Sequence, residues 1–261
     1  MLGVYWSPMS FFVALALFVL GMIGASFVGV LAGRLHTGQS FLAGRSRCDA
    51  CNAPLSPAAL VPVLSYVVSL GRAQCCRARL SPFAPVSELL LGALFVLAYG
   101  RLGLTVPLPF LLAALALLAA LVVYDLAHQI LPSSLLVLFV ATAAVAGFLS
   151  APSSVAFFNT LVTAGLISGS LLLVHYISRG RAMGFADAPL SFGLALLSGP
   201  AAFSGFIFSF WIGAVIGSVL LLQRPRGSRM GVEVPFAPYL AAGFLLAYFT
   251  QWNLLTLIAI L

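Results

Sequence analysis

Residues Leu111–Pro132 read LLAALALLAALVVYDLAHQILP. Apolar side chains run without a break from Leu111 to Val123, and an acid, Asp125, follows at once. An amphipathic helix of a soluble domain keeps a polar face. This stretch has none, so it is either buried all round or faces lipid. Composition decides between the two. Hydrophobic residues make up 62% of the 261 and charged residues 7%, with a mean hydropathy of +1.17. A soluble domain is about a quarter charged, and no soluble fold of this length buries so much apolar surface. The chain is expected to be an all-α polytopic membrane protein.

Working outward with a window of about 19 residues, eight transmembrane helices are expected, at 9–33, 84–100, 107–124, 134–150, 156–177, 188–203, 205–222 and 237–260. The first lacks a basic leader region and a small-residue cleavage site close behind it, so it reads as a retained span. Pro, Gly and Ser mark the breaks, as at Gly100–Pro109 and Ser198–Gly205. Glycines 165 and 169, and 213 and 217, read as helix-packing contacts. One long loop, 34–83, carries all four cysteines, and its PAALVPVLSYVVSLG is too short and too proline-broken to span. It is expected to lie at the membrane interface or to pack under the bundle. The expected division is 1–83, a first helix plus the cysteine loop, and 84–261, the remaining helices.

All twelve basic residues are arginine. With the cysteine loop placed in the cytoplasm, eleven of the twelve fall in loops on that side, and Arg101 alone falls outside. That is a positive-inside pattern, so the +7 charge reads as orientation in the bilayer rather than as a nucleic-acid surface. The same alternation, set by hydropathy and arginine alone, puts all five acids on or near the cytoplasmic face and both termini outside.

Two of those acids close spans. Asp125 ends the third, and Asp187 opens the sixth in GFADAPLSFGLALLSG. If those ends meet, two carboxyls face each other at the membrane boundary. Two carboxylates in a poorly solvated site share a proton: one serves as base on a water, the other stays protonated and polarises a carbonyl. Such a dyad needs no metal. The competing reading of Asp187 is a helix N-cap. Asp125 suits a cap less well, because it sits at a helix C-terminus, where the macrodipole disfavours an anion. His128, three residues on, is either a partner of Asp125 on the same helical face or an interfacial surface histidine. Acids at span ends rather than mid-span count against a third reading, a small-solute or ion transporter.

In the loop, RSRCDACNAPLS holds Cys48 and Cys51, and GRAQCCRARLS holds Cys75 and Cys76. The spacing approaches that of a four-thiolate zinc site. The second pair is adjacent, however, and adjacent cysteines have difficulty aiming both sulfurs at one ion. Zinc and unliganded thiols both stay open, with weak zinc binding or none expected.

With these residues in view, the chain resembles the bacterial type IV prepilin leader peptidases, bifunctional inner-membrane aspartic peptidases of the GxGD type. GASFVGVLAGRLH is similar to the family's GSFLNVxxxRLP, and RSRCDAC to its RSxCxxC. LVPVLSYVVSLGRAQCCRARLSPFAPVSELL is similar to IPxxSxxxxxGxCxxCxxxISxxYPxxE, with Glu88 matching its final acid. YDLAHQILPS resembles DxxxxxIPD, and VPFAP at 234–238 resembles PFGP. The chain departs from the pattern in several places. The third family cysteine is Ala73, with Cys75 two residues later; the GxGD motif reads Gly184-Phe185-Ala186-Asp187; Pro189 stands where lysine is usual, and Ser133 where aspartate is. Ala186 adds a methyl where the backbone is expected to need positive φ or close approach to substrate.

The resemblance implies catalytic Asp125 and Asp187, with Gly184, Ala186 and His128 in the active-site neighbourhood. It also implies a prepilin or pseudopilin substrate, cut on the cytoplasmic face where its basic leader meets an apolar helix, and methylation of the new N-terminus from S-adenosylmethionine. The altered GxGD motif keeps a rival open, a catalytically impaired relative that binds pilins.

Overall fold

The computed structural model describes residues 8–35, 46–48, 50–223 and 235–252. They form helices with no named strand among them. Two compact units divide at Leu104.

In the first unit, α1 (Pro8–Arg34) packs along α3 (Phe83–Leu102), with the short α2 (Leu64–Val68) between them in sequence. Glycine sets the approach of the long pair. A Cβ on Gly21 would fall 2.7 Å from the Gly92 Cα, and one on Gly92 would fall 2.9 Å from the Phe18 carbonyl oxygen. Without lipid-phase hydrophobic force between helices, close backbone packing of this kind holds them together.

The second unit is built around α7 (Asp187–Ser198), which is buried on every side. Around it stand α4 (Pro107–His128), α5 (Ser133–Ser150), α6 (Ser154–Ser178), α8 (Ala202–Leu222) and α9 (Ala237–Thr250), with α5, α6, α8 and α9 in direct contact with it. Glycine again permits the fit: Cβ atoms on Gly147 and Gly193 would fall 2.6 Å from the Leu196 carbonyl oxygen and the Phe139 ring. The glycines expected to pack helices are mostly others. Gly165, Gly169 and Gly217 face open space, and Gly213 makes only ordinary contact with Phe236 and Tyr239.

The first five expected spans appear as α1, α3, α4, α5 and α6. The sixth and seventh differ. Six stretches of helix are long and apolar enough to cross a membrane among the described residues, and Asp187–Leu220 counts as one of them. Within it, α7 has 12 residues, a length of about 18 Å against a hydrocarbon core of about 30 Å. A 3₁₀ turn at Gly199–Ala201, with Gly199 at φ +57, ends α7 before α8 begins. The break falls in the expected Ser198–Gly205 stretch but at its very start, so α7 is shorter than the expected sixth span. Of the eighth span, α9 supplies 14 residues, and 253–260 lie outside the described residues.

Candidate active site and cysteine cluster

Asp125 is in the last turn of α4 and Asp187 is the first residue of α7. Both are buried, at 6% and 7% exposure, and they lie within electrostatic reach of each other. Asp187 is not the cap of α7: Ala186 holds the N-cap position, and the Asp187 carboxylate turns back to accept the Gly184 N–H at 3.1 Å.

Asp125 sits at the unfavourable end of its own helix, and α9 compensates. The Ala237 N–H, at the start of α9, donates to the Asp125 carboxylate. That N–H is one of the donors a helix start leaves without an internal partner, and the positive end of α9 favours an anion there. The other carboxyl oxygen, Asp125 Oδ2, is buried and has no hydrogen-bond partner among the described residues.

Three polar side chains of α6 grip the segment that delivers Asp187. Ser178 Oγ accepts the Ala182 N–H at 3.2 Å, His175 Nδ1 meets the Met183 carbonyl at 2.9 Å, and Ser168 Oγ donates to the Ala188 carbonyl at 2.8 Å. The His175 ring also packs edge-on against Phe185, 5.7 Å between centroids. Pro189 falls in the first turn of α7, where a missing N–H costs no helical bond.

The structure places two of the expected neighbours. Ala186 has φ −72 and ψ −16, an ordinary right-handed conformation, so the backbone there does not need glycine for positive φ. The tight position is Gly184, where a Cβ would fall 3.2 Å from Asp187 Oδ2. His128 is exposed, and its ring lies 4.4 Å from that of Tyr124; that is its ring contact, and none joins it to the Asp125 carboxyl. Ala237, Ser168 and His175 were missed as site residues. VPFAP pointed to the first as a motif without a role, and the backbone donor itself leaves no mark in sequence.

In the first unit the four cysteines converge. Their sulfurs all lie within 4.8 Å of one another, with Cys48–Cys76 at 3.8 Å and Cys51–Cys75 at 3.2 Å. Two matching turns present them. Residues 47 and 54 bridge, as do 72 and 79. Cys48 N–H donates to Ala53 at 2.9 Å and Ala73 N–H to Ala78 at 2.8 Å, while Asn52 and Arg77 take φ +58 and +56. Cys51 and Cys76 hold equivalent places, and Ala73 stands where Cys48 stands.

Cys75, at the exposed tip of the second turn, nevertheless reaches the cluster, so the adjacent pair does aim both sulfurs at one point. Tetrahedral zinc with bonds of ~2.3 Å holds its sulfurs ~3.8 Å apart, and the cluster fits. Backbone N–H groups of Ala50 and Cys51 hold the Cys48 thiol down at about 7, while the Cys51 and Cys48 sulfurs push Cys75 up to about 12. A closed four-thiolate site of this kind is structural and has no open coordination position.

A model of the bacterial peptidase A24 N-terminal domain matches residues 19–102, most of the first unit. Over most of its length, the chain is 31% identical over 237 residues to a Bacillus subtilis (strain 168) protein named prepilin leader peptidase/N-methyltransferase, covering 89% of this chain and 92% of the relative. A Myxococcus xanthus (strain DK1622) protein of the same name is 33% identical over 229 residues, 85% of this chain and 66% of the relative. The chain belongs to the prepilin leader peptidase/N-methyltransferase family, and it is a multi-pass protein of the bacterial inner membrane. No solved structure matches it.

Proposed function

We propose that this chain is an aspartic endopeptidase that removes the leader of type IV prepilins or pseudopilins, with Asp125 and Asp187 as its catalytic pair. The observation that carries this reading is the pairing of two buried carboxyls from separate helix ends, one with a buried oxygen, Asp125 Oδ2, that has no partner among the described residues. One carboxylate takes a proton from water while the other, as an acid, donates to the scissile carbonyl. Asp187 is held by the Gly184 N–H and Asp125 by the Ala237 N–H, so neither has to reorganise. A helical scissile bond is shielded by its own hydrogen bonds, so the substrate is unwound where it is cut. The arginine distribution supports a cytoplasmic active site. Ala186 sits without backbone strain, so strain at the altered GxGD motif does not favour the impaired-relative reading.

Methylation of the new N-terminus, from S-adenosylmethionine, is proposed from the relatives' names, with residues 1–83 as the associated region and 84–261 as the peptidase. A cavity beside the cysteine turns, lined by Arg47, Ser65, Ser69 and Arg72, measures about 100 Å³, below the ~300–1,000 Å³ of cofactor clefts. It is too small to hold the donor.

The test co-expresses a pilin-like substrate with wild type, Asp125→Asn and Asp187→Asn, and reads leader removal by mass. Wild type cuts, and each amide variant reaches normal membrane levels and does not cut. An amide variant that cuts at the wild-type rate overturns the assignment.

A further inference from the structure

Helix α2 is inside out by the standard of a water-facing helix. Leu64, Val67 and Val68, spaced i, i+3 and i+4 on one face, are 58%, 60% and 69% exposed, while Ser65 and Tyr66 are half-buried. In water the apolar stripe turns inward. The pattern extends to Leu60, Val61 and Leu70, all exposed. A contiguous patch of this kind marks an interaction surface.

Two observations name what covers it. The first is depth. The Val63 N–H donates to Glu88 Oε2 at 2.7 Å, and Glu88 lies five residues into α3, about 7.5 Å along its axis. That bond ties the apolar turn level with the opening turns of a membrane-crossing helix. On those turns Phe83, Val86, Leu89 and Leu90 are exposed too and must meet lipid, so the two apolar surfaces are continuous. The tether also holds Val63 at φ +58, a conformation that β-branched residues avoid.

The second is charge. Arg72, Arg77 and Arg79, all exposed, follow directly after the apolar segment. Apolar side chains bordered by arginines are the make-up of a segment that lies in the headgroup–acyl boundary, where guanidinium groups meet lipid phosphates.

We propose that residues 57–70 are an interfacial anchor. They lie in the headgroup boundary of the leaflet at which α1 ends and α3 begins, and they hold the cysteine turns at a fixed height over it. The anchor's occupant is the phospholipid of the host bilayer. It does not depend on the peptidase reading.

The experiment uses the full chain with Trp6, Trp211 and Trp252 replaced by Phe and one tryptophan introduced as Val67→Trp, reconstituted in vesicles with anionic phospholipid. Lipids brominated near the top of the acyl chain should quench this tryptophan several-fold more than lipids brominated near its end. Aqueous acrylamide should reach it much less than it reaches the detergent-unfolded chain. Leu70→Trp, at the most exposed position, should give the same order. Full acrylamide quenching without lipid quenching would put the segment in water. Protection from both quenchers would mean protein covers it, and strongest quenching from the chain ends would place it deeper than the boundary. Any of the three overturns the anchor.

Discussion

The four thiols come from two turns of eight residues each, and each turn is closed by its own backbone hydrogen bonds. The two carboxyls come from helix ends 62 positions apart in sequence, and a third helix supplies the N–H that holds one of them. The first site is local and superficial: three of its four thiols are exposed. The second depends on the packing of a whole unit. A turn-built site therefore tolerates slippage. Position 73, equivalent to Cys48, is alanine, and Cys75 two residues on still reaches the cluster, because an exposed side chain at a turn tip has room to swing. A helix-built site lacks that freedom, since its side chains are locked by close packing.

The largest expected effect separates the two regions. Asp187→Asn should lower cleavage by at least ~10²–10⁴-fold, while Cys51→Ser changes cleavage little; equal losses in a leader-removal assay would break the distinction. Next is metal. Purified protein should carry about one zinc per chain, and cobalt substitution should give thiolate charge-transfer bands. Cys75→Ser should weaken binding ~100-fold or more, and adding Ala73→Cys should restore it, because residue 73 occupies the place of Cys48. Failure of that rescue in a metal competition titration would show that the two turns are not equivalent. Gly184→Ala should cost cleavage about tenfold through pressure on the Asp187 carboxylate, with KM little changed. The smallest effect is Ala186→Gly, within about twofold of wild type; a large gain would show that the methyl does interfere.

Much of this was legible in sequence because hydropathy and charge are properties of composition. Leu111–Val123 could only be a membrane or fully buried helix, and the rarity of acids drew attention to Asp125 and Asp187 before any geometry. The division of Asp187–Leu220 was legible from the Pro, Gly and Ser of 198–205, but the shortness of α7 was not: Gly199 and Pro200 end it through a backbone dihedral, while apolar residues continue on both sides. The adjacent Cys75–Cys76 pair misled, since spacing rules assume that both turns place their ligands alike. Ala237 was hidden for a deeper reason. Its contribution is a main-chain N–H, available to any residue except proline, so only the register of α9 against α4 reveals it. The packing glycines could not be told from the rest either, because Gly193 and Gly165 differ in what stands opposite them and not in their neighbours along the chain.

The brevity of α7 sets a reach. Ala188 is bonded to Ser168, ten residues short of the end of α6 at Ser178, which recesses the start of α7 by about 15 Å along that helix. An extended chain covers ~3.3 Å per residue. A peptide entering beside Ser178 must therefore commit about four or five extended residues before its backbone arrives at Asp187. Substrates would then be sorted by the length of non-helical chain next to the cut as well as by the identity of the residues flanking it. A leader shortened by two residues on that side should fail for want of distance while its scissile bond stays the same.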